Sequence, residues 1–250
     1  MPMLAVAFLV SLMVPLGIHI GPVFLHPHRL LLLVLFLPLL AALLGGRAGR
    51  VSAIDLLMIF STVWAGLAYL ASTSFGSAVE PIGIHFVEFL GAYLLGRISI
   101  RSSSDLVRVA RSFFWLVVLL LPFAALESLS GRALLLEAIP SKAHSIVDAG
   151  ERLGLRRAQT VFSHPIHYGV FSAAGLGFAW YVVRPRSGFP ARVLRSATIG
   201  LATFFSLSTG ALIAYVMQGV FIVWERALHG VRSRWAIFGW GAVAGYLAVD

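Results

Sequence analysis

Long apolar runs alternate along the chain with short polar breaks, and this spacing predicts helices that cross a membrane. The runs cover residues 4–20, 30–44, 54–70, 82–95, 113–126, 165–183, 198–207 and 211–224, and a ninth ends at Asp250. Several approach the roughly 20 residues that a helix needs to span a bilayer. Pro15, inside the first run, is tolerable where a neighbouring helix satisfies the freed backbone. The expected fold is all-α: a polytopic transmembrane helix bundle of about nine spans, forming one domain over residues 1–250.

One interval departs from the pattern. Residues 127–163 are too polar for lipid and too long for a turn, so they predict a long loop on one face. Its middle, 133–140, has the pattern of a short amphipathic helix lying on the membrane. The loop ends in Glu151-Arg152-Leu153-Gly154-Leu155-Arg156-Arg157-Ala158-Gln159-Thr160-Val161-Phe162-Ser163-His164-Pro165-Ile166-His167-Tyr168-Gly169. Proline suits the first turn of a helix, where its missing N–H would be unsatisfied anyway. A helix is therefore expected to start near Pro165, capped by Ser163 or His164.

Composition sharpens this picture. The chain is 59% hydrophobic and only 12% charged, with a mean hydropathy of +0.92. Its net charge of +9 is dispersed over interhelical loops, which excludes a nucleic-acid interface and fits the positive-inside rule. Of the 19 Lys and Arg residues, Arg29, Arg132, Lys142, Arg152, Arg156 and Arg157 fall on one side, and the rest fall on the other. That bias predicts a cytoplasmic N-terminus, with the 127–163 loop and Asp250 facing outward. The N-terminus lacks the basic region of a cleaved signal peptide, so the first run reads as a retained span. With no cysteine, disulfides and thiolate metal sites are excluded.

The candidate chemistry gathers at the end of the loop. Arg152, Arg156 and Arg157 offer permanently charged forks that match phosphate oxygens. They precede a helix N-terminus, whose unpaired N–H groups and partial positive charge attract anions. His164 and His167 stand three apart on one face of the helix start. The helix terminus favours a neutral imidazole, the form that accepts a proton. Glu88 lies within a span with His85 at i, i−3, as a base, a partner for an arginine, or a tie between helices. Glu127 is expected to pair with Arg132 or with an arginine of the loop. Asp55 is expected to favour the dipole of its own helix start. Ser206, Ser208 and Thr209 read as a turn and helix cap.

The stretch Arg156 to Gly169 resembles the motif of bacterial exopolysaccharide polymerases in the O-antigen polymerase and O-antigen ligase superfamily. Leu94-Leu95-Gly96-Arg97 after Tyr93, Pro122-Phe123-Ala124-Ala125-Leu126-Glu127 with Gly131, and Ser206-Leu207-Ser208-Thr209-Gly210-Ala211 support it in the same order. The resemblance implies a multi-pass protein of the bacterial inner membrane that joins undecaprenyl-pyrophosphate-linked saccharide units on the periplasmic face. A hydroxyl of one unit attacks the anomeric carbon of another, and undecaprenyl pyrophosphate leaves. It implies His167, His164, Arg157 and Arg156 as catalytic, and Arg152, Glu88, His85 and Tyr168 as substrate-binding. It implies no cofactor and no metal, and partners limited to the lipid-linked oligosaccharide, membrane lipid and other polysaccharide export proteins. Members carry more spans, so the chain is expected to be truncated at its C-terminus. Two rival readings are a transporter or flippase of lipid-linked saccharide and a non-catalytic subunit of a polysaccharide synthase. Arginines collected at one face favour the enzyme, because a transporter places charge along a path near the midplane.

Overall fold

The computed structural model describes residues 2–20, 23–139, 146–148 and 150–247. Pro140 and Lys142 of the loop, and Asp250 at the expected end of the ninth run, lie outside the described residues. The described residues are mainly helical, with two short hairpins. In order the chain forms α1 (Pro2–Leu12), the short strands β1 (Ile18–Ile20) and β2 (Val23–Leu25), α2 (Pro27–Leu44), α3 (Ala53–Ser72) and α4 (Phe75–His85). A π-helical turn, Phe86–Leu90, joins α4 to α5 (Gly91–Ser99), and α6 (Ser103–Ser130) and α7 (Leu134–Ala138) follow. After them come β3 (Glu151–Arg152), β4 (Leu155–Arg156), α8 (Pro165–Ala173), a second π turn at Phe178–Val182, α9 (Phe189–Phe205), α10 (Thr209–Ala227) and α11 (Arg234–Leu247).

Among the described residues, four helical segments are long and apolar enough to cross a membrane: Pro27–Leu44, Ala53–Ser72, Phe75–Ser99 and Ser103–Ser130. The first apolar run behaves differently from its expectation. Its helix stops at Leu12, and the rest turns into an antiparallel hairpin pairing Ile18 with Leu25 and Ile20 with Val23. Pro15 accounts for this, since its ring clashes with the carbonyl four residues back and pushes Val14 out of the helical region. At about 1.5 Å per residue the remaining helix is about half the length of a bilayer core.

Two apolar cores hold the helices together. One gathers buried side chains of α6, the 158–162 segment, α8, the second π turn and α9, including Phe113, Val117, Tyr168, Trp180 and Ile199. The other joins α1, α2 and α5 through Ala5, Leu32, Leu43, Leu94 and Leu95. Helices α1 and α6 contribute to both, so they carry one core into the other. Helix α6 is well delimited. Ser102 Oγ accepts the Asp105 N–H at 3.1 Å, and Gly131 takes the left-handed conformation (φ 73°) that ends the helix.

Asp55 goes beyond the dipole role expected of it. It forms a capping box with Ser52, accepting the Ser52 N–H at 2.7 Å. It is also fully buried, accepting from Tyr93 Oη at 2.6 Å and from Arg97 Nε at 3.2 Å. Two residues quoted for the family resemblance, Tyr93 and Arg97, therefore tie α5 to the start of α3. Replacing Tyr93 with Phe leaves a buried charge short of one donor, a loss of about 1–3 kcal/mol. Tyr93→Phe is thus expected to unfold at a lower temperature in detergent; an unchanged midpoint would exclude this tie as a support of the fold.

Candidate functional site

The arginine cluster is presented by a hairpin that the hydrophobic pattern does not predict. Strands β3 and β4 pair Glu151 with Arg156 and Arg152 with Leu155. Leu153 and Gly154 make the turn, both with positive φ (57° and 70°). A two-residue turn of this kind favours glycine at its second position, so Gly154 is the sequence signal that marks it.

The hairpin sorts the arginines. Cross-strand partners share a face and successive residues alternate faces. Arg152, Leu155 and Arg157 therefore lie on one side, and Glu151 with Arg156 on the other. Arg152 Nη1 donates to Leu207 O at 2.9 Å and to Thr209 Oγ1 at 3.0 Å. Arg157 Nε reaches toward Ser206 O at 3.5 Å. Both lean on the turn between α9 and α10, where Leu207 itself has positive φ (45°). Arg156 goes the other way, donating from Nη1 to Gly131 O at 3.3 Å and from Nη2 to Val147 O at 3.4 Å, with Nε 3.9 Å from Glu127. The three arginines expected to act together are thus split into a pair and a single.

Glu127 explains why the segment after the hairpin is fixed. Its carboxylate is 1% exposed and accepts the backbone N–H groups of Gln159 at 3.1 Å and Thr160 at 2.9 Å. Thr160 is held at φ 53°, a conformation uncommon for a β-branched residue. Ser128 Oγ donates to Arg156 O at 2.8 Å, and Ala158 N–H donates to Phe205 O at 2.9 Å. The segment is therefore pinned between the end of α6 and the end of α9. Gln159 belongs to the same frame, accepting the Val147 N–H through Oε1 at 3.0 Å. Sequence reasoning passed over Gln159 and Thr160, because nothing in their identity announces a buried carboxylate aimed at their amides. Arg132, the other partner considered for Glu127, binds Glu137 at 2.6 Å instead, a carboxylate five residues away on its own short helix.

The two histidines have separate duties. His164 is the N-cap of α8, and its Nδ1 accepts the Ile166 N–H at 3.1 Å. Burial, then the nearby Arg157 charge, then His167 hold its pKa below the ordinary value. That bond occupies the only lone pair of the neutral ring. His164 can therefore donate from Nε2 but cannot take up a proton without releasing the cap. His167 is exposed, and its Nδ1 lies 2.9 Å from Ser163 Oγ. With Nδ1–H donating to Ser163, Nε2 carries the lone pair and is placed to accept a proton. Burial, and after it the Arg152 charge, lower the Arg157 pKa, yet a guanidinium stays protonated at neutral pH.

The remaining expected site residues lie elsewhere. Tyr168 is fully buried against Phe162, so it supports α8 from below and does not meet solvent. Glu88 sits in the π turn between α4 and α5, ion-paired with Arg29 Nε and 3.4 Å from His28 Nε2. His85 stacks on Phe89 with ring centres 5.0 Å apart. Glu88 and Arg29 line a cavity of about 370 Å³ with Leu25, Leu33 and Ile84. The Ser206–Thr209 turn forms as expected, although Ser208 caps α10 without a side-chain bond. Gly169 is required by the fold: a Cβ there would run into Ser206 Oγ and lie 2.7 Å from Ala211 Cβ.

The His164 cap gives a pH dependence with a defined sign. A histidine whose folded pKa is lowered contributes stability that is complete above its ordinary value of 6.5 and is lost as pH falls below it. The protein is expected to lose thermal stability below about that pH, and His164→Asn, which caps without titrating, should flatten the loss. A variant whose pH profile matches the parent's would rule the cap out as the titrating element. No protein-family model matches the chain, and neither a curated protein nor a solved structure matches it.

Proposed function

We propose that this chain is a membrane glycosyltransferase of the polysaccharide polymerase kind, acting on lipid-pyrophosphate-linked saccharides at the outer face of the bacterial inner membrane. One observation carries the reading. Arg152 and Arg157 share a face of the hairpin, braced by neutral oxygens of the Ser206–Thr209 turn, beside two histidines at the start of α8. The carbonyl and hydroxyl partners of Arg152 orient its guanidinium without neutralising it.

In this mechanism the acceptor hydroxyl of one saccharide attacks the anomeric carbon of another. His167 Nε2 takes the hydroxyl proton, the bond from the anomeric carbon to the phosphate oxygen breaks, and lipid pyrophosphate departs. Arg152 and Arg157 stabilise the charge that gathers on that leaving group. His164 holds the helix start and donates from Nε2. Arg156, paired with Glu127, positions the hairpin rather than meeting substrate. The activated leaving group removes any need for a nucleotide outside the cell.

The orientation belongs to the same proposal. Leu4 lines a cavity with Arg47 and Arg101, which puts the start of α1 at the strongly basic end. The arginine hairpin is bonded to the opposite end of α6. Eight helical spans (α2, α3, α4 with α5, α6, α8 with its π turn, and α9 to α11), together with the half-length α1 and the hairpin after it, complete the proposed bundle. Reporter fusions at Gly49, Ser103 and Ser187 are then expected inside, and a fusion at Gly154 outside. A Gly154 fusion that reports inside would place the hairpin away from its substrate.

The arginines provide the functional test. Losing one preorganised donor costs about 10²–10³ in rate. Arg157→Ala should shorten the polymer by a loss of that order at normal membrane abundance, with Arg157→Lys intermediate because it keeps charge but not the fork. Arg156→Ala should instead lower thermal stability, since it leaves buried Glu127 without its cation. Full-length polymer from an Arg152→Ala, Arg157→Ala double variant would remove the pair from the mechanism.

A further inference from the structure

A second arginine group lies near the other end of α6, in a groove between α6, the end of the second π turn and α9. The groove holds about 630 Å³ and is lined by Arg111, Arg184 and Arg195 together with Trp115, Val118 and Leu194. By helical rise, Arg111 stands about 24 Å from Glu127 along α6, so this is not an extension of the hairpin site. Arg111 and Arg195 are built into the wall: Arg111 Nε donates to Val183 O at 2.9 Å, and Arg195 Nε donates to Ala179 O at 2.9 Å. Arg195 Nη2 also donates to Ser187 Oγ at 2.6 Å, and Arg184 is exposed. Among the described residues, no carboxylate forms an ion pair with any of the three. Glu225, which Tyr181 brings near this end, is engaged by Tyr181 and Arg234.

The rest of the groove is apolar and directional. On α6, Arg111, Trp115 and Val118 follow one another at i, i+4 and i+7, which places them along one stripe. Ala191, Arg195 and Thr198 do the same on α9. On α6 the stripe leads from Arg111 further into the helix past Trp115, which is 63% exposed, and on α9 Leu194, 69% exposed, stands beside Arg195. A charged rim that opens onto an exposed apolar trough matches a molecule with an anionic head and a hydrocarbon tail.

We propose that this groove binds an anionic phospholipid, with the phosphate between Arg111, Arg184 and Arg195 and an acyl chain along Trp115, Val118 and Leu194. Three like charges crowded without a carboxylate repel one another, and a phosphate offsets that repulsion while accepting several N–H donors. A free phosphate ion satisfies the same donors but leaves the trough uncovered, so the apolar wall selects the lipid over the ion.

The test uses the whole purified protein in detergent, with thermal unfolding and native mass spectrometry as readouts. Phosphatidylglycerol should raise the unfolding midpoint and remain bound, whereas phosphatidylcholine and inorganic phosphate should not. Arg184→Gln is the informative variant, because its exposed side chain supports no wall and its fold should be unaffected. One lost arginine should weaken phosphatidylglycerol binding about fivefold. Arg232→Gln, in the loop before α11, should leave binding unchanged. Equal stabilisation by phosphatidylcholine would reduce the groove to generic solvation. An equal effect of inorganic phosphate would identify an ion site, and equal loss in Arg232→Gln would mean diffuse attraction; each result overturns the proposal.

Discussion

The candidate site depends on one buried carboxylate. Glu127 sits at the end of a 28-residue helix and accepts two consecutive backbone N–H groups from a segment with no regular structure of its own. A loop that borders a membrane has few ways to satisfy its amides, and each one left bare costs as much as a lost hydrogen bond. The carboxylate answers two of them at once and holds Thr160 in a conformation it would not choose alone. Its own charge is met by those amides and by Arg156. Removing the carboxylate would leave two buried amides unanswered, and removing Arg156 would leave the carboxylate buried without its cation.

From that frame the division among the arginines follows. Once Ser128 and Glu127 bind one side of the strand, Arg156 has to face α6 and its neighbour Arg157 has to face α9. Alternation along an extended strand, not the charge itself, decides which arginine faces α6 and which faces α9. The same geometry brings Arg152 across the hairpin to join Arg157. Charge density in the sequence therefore overstates the site, because one of three cations is spent inside the protein.

The fold was legible wherever a long apolar run met a clear stop. Helix α3, α8 starting at Pro165, and the break between α9 and α10 all follow from local rules, whereas the Ser52–Asp55 capping box came only with the structure. Pro15 sits inside an equally apolar run, and hydropathy alone hid its power to end the helix. The hairpin at 151–156 was hidden for the opposite reason: it is polar, two residues per strand, and betrayed by one glycine. The cluster of arginines and histidines was visible as chemistry, and His164 as a possible cap. Its internal wiring was not visible, because Glu127 and Thr160 are 33 positions apart and only the packing of α6 against α8 and α9 makes them neighbours.

Helix α6 connects these matters into one electrostatic layout. Its first turns carry Arg108 and Arg111 with no acid beyond Asp105, which is used by the Ser102 cap. Its last turns carry Glu127, used by the loop. Between them the helix buries Phe113, Val117, Leu120 and Ala124, with no ionisable side chain to link the two ends. Charge is therefore confined to both ends of an apolar rod, as a membrane requires. At the C-terminal end of α6 the carboxylate engages Arg156, while Arg152 and Arg157 lie on the other face of the hairpin beside α8. At the N-terminal end of α6, among the described residues, no carboxylate pairs with Arg111, Arg184 or Arg195, which border a groove lined by apolar side chains. What lies beside the arginines differs between the two ends: a helix N-terminus with two histidines at one, and exposed Trp115 and Leu194 at the other.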